Sequence, residues 1–163
     1  MLDYLKKNFF SNFLLIIIIF SLDRASKLYV ILKSETNLSS SLFISKFLNI
    51  NLIWNDGIAF GLFSLGNESF YNFITTIILV IIAILFFITS KSEKLKKYSY
   101  IIITGGALGN LFDRIVYKSV PDFIDLHYND FHWFIFNVAD IFITIGVICL
   151  IYDEVFLESK RND

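Results

Sequence analysis

Only one cysteine, one proline and seven glycines occur among the 163 residues. The lone Cys149 lies in an apolar run and excludes an intramolecular disulfide. Scarce glycine gives weight to the place where it clusters, at Gly105, Gly106 and Gly109. Excess charge of either sign is also missing: the net charge of −1 gives bulk electrostatics no hold on nucleic acid. No phosphate-cradling glycine loop is present, nor a GxSxG nucleophile elbow, nor HExxH or CxxC spacing. No repeat, linker or low-complexity segment divides the chain, which reads as a single domain over 1–163.

Apolar residues dominate instead, at 56% of the chain, with aromatics at 18% and a mean hydropathy of +0.66. Residues 70–89 contain no charge, and such a run matches the roughly 20 residues needed to cross about 30 Å of hydrocarbon. Three further stretches read as spans, at about 9–32, 98–117 and 134–152. The expected class is therefore an all-α membrane protein of four transmembrane helices, with a small β-like cradle outside the cytoplasm. Short-loop basic residues orient it. Lys6, Lys7, Lys91, Lys94, Lys96, Lys97, Lys160 and Arg161 fall on the side of the termini, against Lys33, Lys46 and Lys118 opposite. Both termini are thus expected in the cytoplasm. No small-x-small cleavage site follows the first apolar run, so it reads as a retained anchor.

The outer loops carry aromatics. Residues 47–53 partly alternate apolar and polar, which predicts a short strand before a turn at 55–61, and 118–126 offers a second extended piece. Trp54, Tyr128 and Trp133 suit an interfacial belt. His127 and His132, with Asp122, Asp125 and Asp130, lack a metal-binding spacing and read as loop polarity. Neither metal nor cofactor is expected. Ser26-Lys27 is a poor catalytic dyad because neighbouring helical side chains diverge.

Ionisable groups inside apolar helices cost roughly 2.5–3.5 kcal/mol on insertion scales, so Asp113 and Asp140 are functional candidates. Asp113 lies 16 residues beyond Lys97 and Asp23 16 beyond Lys7, each about 24 Å above the cytoplasmic boundary at the helical rise. Asp140 precedes Asp153 by 13 residues, giving about 20 Å. Three carboxylates from three helices converge on one layer. Asp23 and Lys27, four apart, share a face, as do Asn110 and Arg114. Asn110 and Asn137 each precede an aspartate by three and are placed to orient it. Gly105 and Gly109 form a small-xxx-small strip for close helix packing.

Two close carboxylates share a proton, so one can act as general base toward water and the other as general acid toward an amide. Spacing alone leaves two alternatives open: a proton relay in a small proton-coupled transporter, or structural pairing of Asp113 with Arg114 or a lysine.

The motifs together go further. Asp23-Arg24-Ala25-Ser26-Lys27, Asn55-Asp56-Gly57-Ile58-Ala59-Phe60-Gly61 and Gly105-Gly106-Ala107-Leu108-Gly109-Asn110-Leu111-Phe112-Asp113-Arg114 appear in that order. Val120-Pro121-Asp122-Phe123-Ile124-Asp125 and Phe136-Asn137-Val138-Ala139-Asp140 follow. This series closely resembles the bacterial lipoprotein signal peptidase family, also called signal peptidase II. The resemblance implies an aspartic endopeptidase of the bacterial inner membrane, with its site near the outer leaflet. Its partners would be membrane lipids and prolipoproteins, cut just before the diacylglyceryl cysteine. A monomer is expected, and the family is the target of the cyclic peptide globomycin. By position in the motifs, the resemblance makes Asp113 and Asp140 the catalytic pair. It gives supporting or substrate-contacting roles to Asp23, Lys27, Asn55, Gly57, Asn110, Arg114 and Asn137.

Overall fold

A computed structural model describes residues 2–36, 43–56, 68–129 and 131–158. Four α-helices carry the chain: α1 (Leu2–Thr36), α2 (Glu68–Lys91), α3 (Lys94–Tyr117) and α4 (Val138–Tyr152). Between them lie four strands, β1 (Phe43–Ile44), β2 (Leu48–Asn55), β3 (Val120–Tyr128) and β4 (Phe131–Phe136). The strands form one antiparallel sheet in the order β1-β2-β3-β4. The fold is thus mostly helical with a small antiparallel sheet, in keeping with the expected helices and β-like cradle.

The strands at 47–53 and 118–126 emerge as β2 and β3, whereas β1 and β4 were not anticipated. The fourth apolar stretch is not helical from residue 134. Phe131–Phe136 is a run of bulky aromatic and β-branched residues that pairs with β3, with Ile124 opposite Phe136 and His127 opposite His132. Helix α4 begins only after Asn137, whose side chain accepts from the Asp140 N–H while the Asp140 carboxylate accepts from the Asn137 N–H. That reciprocal capping box satisfies two donors that a helix start otherwise leaves bare. Apolarity alone could not distinguish strand from helix here; the cap sets the boundary.

Helix α3 sits at the centre and packs on the other three helices. A Cβ at Gly106 would lie 2.6 Å from the Ala139 carbonyl oxygen of α4, and one at Gly109 would strike the Asp23 carboxylate of α1. Gly105 faces Ile19 of α1. One glycine strip therefore admits two neighbours, which its clustering in a glycine-poor chain foretold. Lys118, in the left-handed region at φ 59, stops α3 and turns the chain into β3.

The distribution of polarity is inverted relative to a water-soluble domain. Asp23, Arg24, Lys27, Asp113 and Arg114 are buried, while Phe73, Ile77, Leu79, Val80, Ile84 and Phe87 of α2 are exposed. Only Tyr71–Lys91, with mean hydropathy 2.8, is a helix long and apolar enough by itself to cross a membrane among the described residues. Helix α1 carries Asp23, Arg24 and Lys27 in mid-course, and α4 has only 15 residues.

Candidate active site

Asp23 begins the polar interior. Its Oδ2 accepts from Lys27 Nζ (2.9 Å) and Arg24 Nη2 (3.3 Å), and its Oδ1 accepts from the Ala139 N–H at the start of α4 (2.9 Å). A carboxylate at a helix N-terminus is favoured by bare amides and by the helix dipole. Lys27 is fully buried and also donates to Asp113 Oδ2 (2.7 Å) and Asn110 Oδ1 (2.8 Å). Arg24 meets Asp113 Oδ1 at 2.5 Å and lies over the Phe112 ring. Two cations and two carboxylates thus lock α1 to α3 and to the head of α4. This layer is the one the helical rise anticipated.

Asn110 behaves differently from its sequence reading. Its amide does not orient Asp113; it donates to Asp140 Oδ1 of α4 (2.8 Å) while its oxygen accepts from Lys27. The connection from Asp113 to Asp140 accordingly runs through Lys27 and Asn110. Asp113 has no exposed surface and is held by two cations. Pairing with a lysine, left open as the structural alternative, is what its surroundings contain.

A cleft of about 410 Å³ opens between α2, α3, α4 and the sheet. Its apolar wall includes Ile78, Ile81, Leu85, Ile103 and Ile143; its polar wall is Asn55, Asn110, Arg114, Asp122, Asn137 and Asp140. Asp113 is not among these residues. The carboxylate that borders the cleft with Asp140 is Asp122 of β3. Asn137 joins them, donating from Nδ2 to Asp122 Oδ1 (2.6 Å) while engaging Asp140 through the capping box. Asn55 at the end of β2 donates to Asp122 Oδ2 (2.8 Å). Burial pushes the Asp122 carboxyl up to about 6, its two amide donors hold it down in part, and the nearby Asp140 charge raises it. Arg114 is buried beside the cleft and lies over the Tyr71 ring, whose hydroxyl donates to the Arg114 carbonyl (3.1 Å).

Of the residues named from sequence, Asp140, Asn55, Asn110, Arg114 and Asn137 line one cleft, and Asp23, Lys27 and Asp113 stand behind it. Gly57, Phe60 and the rest of the 57–61 turn lie outside the described residues. Sequence reasoning took Asp122 for loop polarity and gave it no place in the site, because in an outer loop or strand an acidic side chain carries no insertion cost. Its signal was the asparagine partners at the ends of β2 and β4, visible only once the sheet forms. Arg24 was also given no role from sequence.

The chain is similar to known proteins along most of its length. Residues 15–156 match the model of the family described as Signal peptidase (SPase) II. The chain is 51% identical over 157 residues to a lipoprotein signal peptidase of Pelagibacter ubique, covering 96% of this chain and 95% of that one. It is 40% identical to the lipoprotein signal peptidase of Anaplasma phagocytophilum, over 89% of this chain and 92% of the relative. Two solved bacterial membrane enzymes superpose with TM-scores of 0.71 and 0.72, at 32% and 29% identity, covering 94% and 90% of this chain and 91% and 93% of theirs. On this footing the chain belongs to the signal peptidase II family of bacterial membrane peptidases.

Proposed function

We propose that this chain cleaves signal peptides from diacylglyceryl-modified prolipoproteins, just before the lipidated cysteine, and that Asp122 and Asp140 are its acid–base pair. The observation that carries the pairing is Asn137, which bonds both carboxylates at the wall of one cleft. The ionised member takes a proton from water as the water oxygen attacks the scissile carbonyl. The protonated member gives its proton to the carbonyl oxygen. As the tetrahedral intermediate collapses and its C–N bond breaks, the first member passes its proton to the departing amine, the second recovers a proton from a hydroxyl of the intermediate, and both return to their starting states. Asn110 holds Asp140 from the opposite side, and Asn55 holds Asp122. The apolar wall of the cleft suits a signal helix. Asp113 then serves as the anchor of the charged layer behind the site.

The topology proposed with it has four spans, cytoplasmic termini and the sheet at the outer leaflet. It rests on the basic-residue bias of the loops and on the exposed Trp54, Tyr128 and Trp133. A diacylglyceryl substrate anchored in that leaflet meets the cleft at the right depth. We further propose that the enzyme acts as a monomer and is blocked by globomycin, as the family resemblance implies. Family membership leaves a transporter's proton relay without support.

Cleavage of a diacylglyceryl-modified prolipoprotein by purified protein in detergent decides the roles. Asp122→Asn and Asp140→Asn are each expected to lower kcat by about 10²–10⁴ with melting little changed, since an amide cannot carry the proton. Full activity in Asp140→Asn would reject the site. Full activity in Asp122→Asn, with loss of turnover but not of melting in Asp113→Asn, would return the pair to Asp113 and Asp140.

A further inference from the structure

The outer end of the sheet gathers three ligand-type side chains that the peptidase chemistry does not use. Asp125 and His127 lie on β3, and His132 is the cross-strand partner of His127 on β4. One ligand atom from each residue falls within 4.8 Å of the others. A register irregularity between Asp125 and His127 lets His132 face both: its Nδ1 lies 3.0 Å from each Asp125 carboxylate oxygen, and its ring stacks on His127 at 5.0 Å. The Asp125 carboxylate is buried, and beyond His132 it has the Asn49 amide at 3.4 Å. Two polar atoms here are buried without a hydrogen-bonding partner among the described residues, His127 Nδ1 and Asn49 Oδ1. Buried groups of this kind are rare because each forfeits its hydration.

We propose that Asp125, His127 and His132 form a site for one divalent transition-metal ion of the Zn2+ type, which clips β3 to β4. Two imidazoles and a carboxylate are a borderline-soft donor set of the kind that zinc takes, with a fourth position left for water. Bonds of about 2.0–2.2 Å put neighbouring ligands about 3.4 Å apart, so donors that now lie within 4.8 Å of one another must close by up to about 1.4 Å. His132 can supply that movement, because its side chain is 52% exposed. The ion does not enter the cleavage reaction; it tightens the strand that carries Asp122.

Calorimetric titration of the untagged full chain in detergent with zinc chloride tests this. One ion per chain is expected, with affinity reduced at least about tenfold in His132→Ala and in His127→Ala. Zinc is expected to raise the melting temperature of the unaltered chain and not that of His132→Ala. Melting without zinc checks the variants; if His127→Ala does not fold, His132→Ala decides alone. Absence of saturable binding to the unaltered chain, or unchanged affinity in a folded histidine variant, would overturn the site. Neither result bears on cleavage, so failure here leaves the peptidase reading intact.

Discussion

Asp122 owes its behaviour to what surrounds it. Burial raises its carboxyl from 3.8 to about 6, so the folded state binds this proton more tightly than the unfolded chain does. The stability this contributes is complete below about pH 4 and is lost as pH climbs through about 6. The same titration should set one limb of the rate profile near pH 6. Replacing Asn55 by Ala removes a donor that lowers the Asp122 value, so that limb is expected to move to higher pH; a kcat–pH profile measures it. Lys27 is the other decisive side chain. Lys27→Ala leaves two buried carboxylates without their shared cation and should cost about 3–5 kcal/mol, read as a large fall in melting temperature. Its four-residue spacing from Asp23 was legible in the sequence. Its second partner, Asp113, belongs to another helix and was not.

Among the elements, α4 is the most exacting. Its first turn is held by the Asn137–Asp140 box, by Asp23 on the Ala139 amide and by the close approach of Gly106. Gly106→Ala sets a methyl against the Ala139 carbonyl and should cost about 1–3 kcal/mol while pushing Asp140 away from Asn110. Activity is expected to fall further than melting does, because the displaced group belongs to the proposed acid–base pair. The start of α4 was misjudged in the sequence for a definite reason. Apolar residues dominate both 134–136 and 138–152, and hydropathy cannot tell a strand from a helix when both face apolar surroundings. β2 and β3 could be anticipated because alternation and turn residues flank them.

For the molecule as a whole, lipid takes the place of water. The exposed apolar flank of α2 implies that a charge there is expelled. Val80→Lys is expected to cost about 2.5–3.5 kcal/mol of insertion, seen as a reduced membrane-integrated fraction on expression. Membrane class, the helices, the glycine strip, two of the strands and the family were all determined by the sequence itself, because composition, periodicity and ordered motifs are local properties of the chain. That Asp23, Asp113 and Asp140 share a layer was legible too, since helical rise is fixed at about 1.5 Å per residue. The direction each carboxylate faces was decided only by tertiary structure. Asp23, Asp113 and Asp140 share a layer, yet packing turns Asp113 onto Lys27 and Arg24 and brings Asp122 to the cleft beside Asp140. Rise along a helix sets height; rotation about it, and the return of β3 over the head of α4, depend on contacts between residues far apart in the chain.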